Sequence, residues 1–279
     1  MSRITPDSKN WPGELAHIDP SPDRLWLRGR EEFLSQLPRV AIVGSRAPTP
    51  YGQAQARRFA QALAQAGIVI VSGLARGIDA AAHEGALDAG GATIGILGCG
   101  VDKPWPAGPL AERMAEEGLL MSEFPPGVGP RKHHFPLRNR LISALASAVV
   151  VIEAAHASGS LITAHWAADQ GRPVFALPGR VDHPMARGCH RLIREGAQLV
   201  ESPSEVLAEV GFPQLPFGDD PREQATRDPI ESVLVGETLT SNELAAKLRL
   251  TPQELLPRLA ELELQERLVR APGGLWRLP

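Results

Sequence analysis

Seven short apolar runs recur between residues 39 and 200: VAIV at 40–43, IVIV at 68–71, ATIGIL at 92–97, GLLM at 118–121, AVVVI at 148–152, PVFAL at 173–177 and AQLV at 197–200. Each has strand length. Their near-continuous apolarity suits strands covered on both faces, as in a parallel sheet. Between them lie segments of helical period. Tyr51 to Ala66 keeps its apolar residues on one face and is closed by Gly67, a residue suited to ending a helix. Ile78–Leu87, Leu161–Asp169 and Cys189–Ile193 read likewise. Strand alternating with helix predicts a doubly wound α/β fold with a mostly parallel sheet.

The rhythm holds for residues 39–211 only. Residues 1–38 are rich in Pro and charge and read as a leader packed on the core, with Trp11, Leu15, Leu25, Trp26 and Leu27 as anchors. Residues 212–228, FPQLPFGDDPREQATRD, read as a linker. In 229–279, Thr240 with Glu243 and Thr251 with Glu254 form two capping boxes, the second with Pro252 in the first turn. They open helices at 241–248 and 252–264. RLVR at 267–270 and LWRL at 275–278 then flank Pro272-Gly273-Gly274 as a hairpin. Helices followed by a hairpin predict a small winged-helix domain.

Charge narrows the partners. Residues 1–38 carry a net −1, 39–200 a net +4 and 201–279 a net −6. A polyanion therefore suits the middle segment and neither end. No apolar run is long enough to span a membrane, and the start, MSRITPDSKN, has no apolar signal core. The two cysteines, Cys99 and Cys189, exclude a disulfide scaffold and a Cys-x-x-Cys zinc site. A reducing cytoplasm is the expected setting.

Three motifs sit where strands give way to loops, the place where open parallel sheets bind ligands, and a fourth, 131–140, follows a Pro/Gly-rich loop, EFPPGVGP at 123–130. In VAIVGSR, Gly44 and Ser45 let a backbone approach a ligand and Arg46 supplies a cation. In SGLARGID, Arg76 offers a second phosphate contact or a partner for Asp79, whose simplest role is on the helix dipole. The stretch RKHHFPLRNR at 131–140 has four permanent cations and no acid. Lys132, Arg138, Asn139 and Arg140 around Phe135 give a backbone tracker with a stacking ring, as single-stranded nucleic acid requires. Arg138 and Arg140 have a second reading, as ties to Glu123 or Glu153. In VIEAAHASGSLITA, Ser158, Gly159 and Ser160 open a helix whose first N–H groups suit phosphate. A fifth stretch, 177–197, holds Arg180, Arg187, Arg191 and Arg194 and reads equally as groove wall or solvated face.

The dinucleotide fingerprint and the P-loop are both absent, as are a Gly-x-Ser-x-Gly elbow and a His-x-x-x-His pair. No catalytic set, cofactor or metal is expected.

Taken in order, VAIVGSR with Thr49 and Tyr51-Gly52, SGLARGID-AAAH, LGCGVD, SEFPPG, FPLRNRLI, the VIEA–SGSLITA block and LPG resemble the DNA processing protein A family, also called DprA or Smf. The resemblance runs from about Trp11 to Ala197 and is weaker in the winged helix. It implies a Rossmann-like domain that binds single-stranded DNA and loads RecA recombinase onto it during natural transformation. It also implies a homodimer without enzymatic activity. It carries Arg46, Lys132 and Phe135 over as DNA contacts, with Ser158, Gly159 and Ser160 lining the same pocket. Trp105 stands where the family usually has Tyr, and His190 where it usually has Asn.

Two questions follow. In 229–279 six cations (Lys247, Arg249, Arg258, Arg267, Arg270, Arg277) face seven glutamates. The second helix of this domain carries Glu254, Glu261 and Glu263 against Arg258 alone, which favours a protein partner over double-stranded DNA. Arg267, Arg270 and Arg277 argue the other way. The alternative for the whole chain is a nucleotide-binding enzyme or sensor of the Rossmann-like phosphoribohydrolase type, with Glu153 and Arg46 as its acting pair. The PGG-x-GT-type loop of such enzymes is absent.

Overall fold

The computed structural model describes residues 1–211, 228–234, 237–265, 267–271 and 273–277. The chain divides into two compact units, 1–215 and 216–279. The expected linker, Asp228 apart, lies outside the described residues.

The first unit is built on a nine-stranded sheet. Its strands are β1 (Ser2–Ile4), β2 (Leu25–Gly29), β3 (Arg39–Val43), β4 (Val69–Ser72), β5 (Thr93–Ile96), β6 (Leu119–Ser122), β7 (Ala148–Val151), β8 (Val174–Ala176) and β9 (Gln198–Leu199), in the order β1-β2-β6-β5-β4-β3-β7-β8-β9. From β6 through β9 every pairing is parallel. All residues of β3 to β7 are buried, as their unbroken apolarity requires of a sheet covered on both faces. The fold is the expected Rossmann-like α/β fold. The chain winds outward from β3 to β6, returns to β7 beside β3, and winds outward again. The switch point therefore lies between the ends of β3 and β7, where a crevice opens in such sheets.

The leader does more than pack on this core. β2 pairs antiparallel with β6, with Trp26 opposite Ser122, and β1 pairs with β2. The Leu25-Trp26-Leu27 alternation sends both leucines fully inside, the period-2 pattern of a strand. Arg39 locks the segment down. Its buried guanidinium donates to Leu34 O (2.6 Å) and Leu145 O (2.8 Å) and pairs with Glu14 at 2.6 Å.

The helices are α1 (Pro50–Gln65), α2 (Ile78–Asp88), α3 (Pro109–Glu116), α4 (His134–Leu145), α5 (Ser160–Asp169), α6 (Arg187–Arg194) and α7 (Pro203–Glu209). Helices α3, α4 and α7 add to those that the apolar spacing predicts. α4 matters most, because it absorbs most of the basic stretch. His134 and Phe135 form its first turn, and Arg138 and Arg140 lie on its buried side.

The second unit holds α8 (Pro229–Val233), α9 (Ser241–Leu248), α10 (Pro252–Leu264) and a three-stranded sheet of β10 (Leu239–Thr240), β11 (Val269–Ala271) and β12 (Leu275–Arg277). This is the expected winged helix, with both capping boxes in place. Ile230, Leu244, Leu255, Leu259 and Trp276 form its core, and Trp276 Nε1 donates to Ser241 Oγ at 3.0 Å. Three of the six cations of residues 229–279 are taken up within the unit. Arg258 pairs with Asp228 (2.8 Å), Arg267 with Glu231 (2.6 Å) and Lys247 with Glu237.

Candidate nucleic-acid interface

The site grows out of the switch point. Beyond β3, Ser45 N donates to Glu153 O (2.7 Å) and Ile78 N donates to Ser45 O (3.1 Å). The turn is thus clamped between the end of β7 and the start of α2. Only glycine fits at 44, since a Cβ there would meet Ile78 Cγ1 at 2.6 Å. Thr49 then caps α1, its hydroxyl accepting from Gly52 N at 3.0 Å. Glu153 holds this cap from below. It accepts from Thr49 N (2.9 Å) and from Thr49 Oγ1 (2.6 Å). The outcome is an exposed Arg46 on a rigid turn.

The start of α4 is fixed from the neighbouring loop. His134 stacks on Phe124, with ring centroids 4.0 Å apart, and its Nδ1 donates to Gly98 O at 3.0 Å. Gly98 leaves room for the Phe135 ring, which lies 3.0 Å from where a Cβ would stand. Phe135 is half-buried and turns toward Arg46, whose guanidinium carbon sits 5.3 Å from the ring centroid. Beyond β7, Ser158 Oγ and Ser160 Oγ lie 2.7 Å apart at the start of α5, and Asn139 Nδ2 donates to Gly159 O at 3.3 Å.

These parts enclose one cavity of about 590 Å³. Gly44, Ser45, Arg46, Lys132, Phe135, Arg138, Asn139, Ser158, Gly159 and Ser160 all line it, with Asp79. Arg76 lines a second cavity of about 250 Å³ that shares Arg46, Phe135 and Arg138 with the first. Ten of the twelve residues singled out in the sequence thus converge on one cavity, and Arg76 adjoins it.

Arg140 does not. Its guanidinium is buried and bonded to both Glu123 oxygens (2.7 and 2.9 Å), Pro20 O and Leu137 O. That corrects its reading as a nucleic-acid contact and bears out the tie to Glu123. The 177–197 stretch is likewise absent from the cavity lining. There Arg180 pairs with Asp182 at 2.9 Å and Arg191 with Glu195 at 2.7 Å. His190 Nε2 sits 3.0 Å from Gly179 O, fastening the loop before it.

Comparison with known proteins agrees with this architecture. The family model described as DNA recombination-mediator protein A matches residues 2–211, and that of the DprA winged helix domain matches residues 219–274. The chain belongs to the DprA family. It is 40% identical to the protein Smf of Escherichia coli over 99% of this chain and 77% of that protein. The X-ray structure of DNA processing protein A from Streptococcus pneumoniae superposes with a TM-score of 0.72 at 42% identity, covering 76% of this chain and 75% of that one. The protein from Helicobacter pylori, whose structure concerns its single-stranded DNA binding mode, gives 0.68 at 32% identity, covering 75% and 95%.

Beneath the cavity of this DprA family member lies a charged pair. Arg138 Nη1 donates to Gly73 O at 2.7 Å and to Ile96 O. Asp79 accepts from Gly73 N at 3.1 Å. Burial lowers the Arg138 pKa to about 10, and the Asp79 charge works against that fall. Burial raises the Asp79 carboxyl above its ordinary range, opposed by Arg138. Arg138 therefore keeps its proton at neutral pH, its charge favours the ionised form of Asp79, and its bonds to Gly73 O and Ile96 O tie the floor between β4 and β5. Asp79 stands in the first turn of α2, as its reading on the helix dipole has it, and of the two arginines it is Arg138 rather than Arg76 whose charge opposes the effect of its burial.

His83 is fully buried with Nδ1 2.7 Å from Thr93 Oγ1, and burial pushes its pKa to about 3. It is neutral and faces no ligand space. Trp105 stands where the family usually has Tyr. It is exposed and lines the second cavity beside Arg76. Among the described residues no helix is long and apolar enough to cross a membrane.

Proposed function

We propose that this chain binds single-stranded DNA in the cavity at the β3–β7 switch point and, through that grip, loads RecA onto the strand in the cytoplasm as a homodimer. Catalysis has no part in this reading. One observation carries it: Arg46 lies over the Phe135 ring in a cavity that Lys132 and the first backbone turn of α5 also line. A flat ring and flexible cations suit a base with its phosphates and need no particular sequence, whereas the first N–H groups of α5 are already taken up by Ser158 Oγ, Ser158 O and Gly159 O. The Helicobacter pylori relative, described as binding single-stranded DNA, points the same way. RecA loading and the homodimer come from the family resemblance.

The enzyme alternative loses its pair. Glu153 is buried, its carboxylate is taken up by Thr49, and it lies outside the cavity lining that contains Arg46. Its role is to position the Arg46 turn. The test is oligo(dT) binding followed across salt. Neutralisation of one phosphate each by Arg46, Arg76 and Lys132 gives a log–log slope of about −2. A slope near zero, or a strong preference for one base, would sink the reading.

For the winged helix we propose a protein contact rather than duplex reading. Arg258, the lone cation of α10, is paired with Asp228, while Leu256 and Leu264 on the same helix face solvent at 52% and 86% exposure. Deleting residues 212–279 should leave both single-strand and duplex affinity within about twofold in gel-shift titrations. A steep loss of duplex affinity alone would assign the unit to DNA.

A further inference from the structure

We propose that Trp105 and Arg76 form a second nucleotide subsite, in which the indole stacks on the base next to the one held at Phe135 and Arg76 meets its phosphate. The proposal rests on the single-strand reading of the main cavity and extends it along the strand.

Four observations carry it. First, the second cavity is continuous with the first. Arg46, Ala75, Phe135 and Arg138 line both, so the Arg46–Phe135 pair stands at their junction. A strand with one nucleotide in the larger cavity passes that pair and reaches Trp105 and Arg76. Second, of the five tryptophans in the chain Trp105 alone is exposed, at 52%. An indole held in water beside a cavity forgoes the burial that its size would reward.

Third, the ring stands on a fixed loop. Gly100 N donates to Val128 O at 2.9 Å, Gly127 N donates to both Asp102 oxygens at 2.9 Å, and Cys99 Sγ lies 3.1 Å from Lys103 O. These bonds fasten the segment 100–103, just before Trp105, to the loop that leads to Lys132. Fourth, Arg76 is exposed and has no hydrogen bond or ion pair among the described residues. Its one acidic neighbour in sequence, Asp79, is engaged below with Gly73 and faces Arg138.

An aromatic face and an unpaired cation on one cavity are the two components of a sequence-tolerant single-strand subsite. Their separation in sequence hides the pairing. β4 and β5 are parallel neighbours, so the loops after them rise from the same sheet edge and bring residues 76 and 105 together.

The experiment compares wild type, Trp105→Ala, Trp105→Phe and Phe135→Ala, all as the full chain, in binding a ladder of oligo(dT) lengths by competition against a labelled strand. Trp105→Ala should weaken oligo(dT) by about 5- to 150-fold. It should also abolish the step in affinity on lengthening the strand by the nucleotide that reaches this subsite. Trp105→Phe should stay within about threefold of wild type. Oligo(dT) should quench the tryptophan emission of wild type, and most of that quench should vanish in Trp105→Phe although binding persists. A merely structural Trp105 would leave the quench in place. If Trp105→Ala binds every length as wild type does while Phe135→Ala is weakened, the second subsite is refuted and the first stands. If neither variant is weakened, the single-strand reading itself fails.

Discussion

Phe135→Ala should weaken oligo(dT) binding by about 5- to 150-fold, the range expected when one base loses its aromatic platform. The ring also gives the Arg46 guanidinium its seat, at 5.3 Å from the centroid. Its removal therefore costs a stack and frees a cation at once. Two variants separate these effects. Phe135→Leu keeps apolar volume beside Gly98 but offers no flat face, so it should lose nearly as much affinity as the alanine variant. Arg46→Ala keeps the ring and removes one phosphate contact, which should flatten the log–log salt slope by about 0.7. Fluorescence anisotropy at two salt concentrations reads both quantities. Phe135→Leu binding as tightly as wild type would show that the ring serves packing alone. Thermal melts of the same proteins should differ little, because Phe135 is only half-buried at the first turn of α4.

The parts of this site that could be read in the sequence are those in which position and chemistry coincide. Gly44-Ser45-Arg46 and Ser158-Gly159-Ser160 each follow an apolar run, so parallel-sheet topology alone places them on one rim. Lys132 and Phe135 were legible from composition, as a ring among cations without acids. What remained hidden depended on the direction of a side chain. Arg138 and Arg140 are two residues apart, both buried and both cationic, yet one lines the cavity floor and the other closes on Glu123. No charge count distinguishes them. The second capacity to stay hidden was long-range juxtaposition, as of Trp105 with Arg76. The leader shows the same limit on a smaller scale. Leu25-Trp26-Leu27 has strand period, but its partner strand β6 lies far along the chain. The missed helix α4 has a physical reason too. Its first turn carries His134 and Pro136 after His133 at the N-cap, and its buried side includes arginines whose partners are invisible until the fold is formed.

That buried charge makes Asp79→Ala the substitution with the largest expected effect on stability. Arg138 is 3% exposed and keeps its proton at neutral pH, with a pKa lowered only to about 10. Among the described residues, its Nε has no hydrogen-bond partner. The Asp79 carboxylate is the countercharge that makes this burial tolerable. Taking one member out of a buried charged pair strands the other, at a cost of about 3–5 kcal/mol. The lost bond from Gly73 N adds to it by loosening the turn that Arg138 also holds through Gly73 O. Asp79→Asn keeps an acceptor for Gly73 N and should cost less than the alanine variant, though still well above zero. The decisive case is the double variant Asp79→Asn with Arg138→Met. Once both charges are gone neither is stranded, and an apolar chain of similar length fills the floor. Urea denaturation should then show the double variant no less stable than Asp79→Asn alone, so the two substitutions should be strongly non-additive. Simple additivity would mean that the two charges do not sense each other. Single-strand binding by the double variant would then report how far the rim of the cavity depends on its floor: Arg46, Lys132 and Phe135 are carried by other anchors, namely Glu153 on Thr49 and His134 on Gly98, and should keep most of their grip.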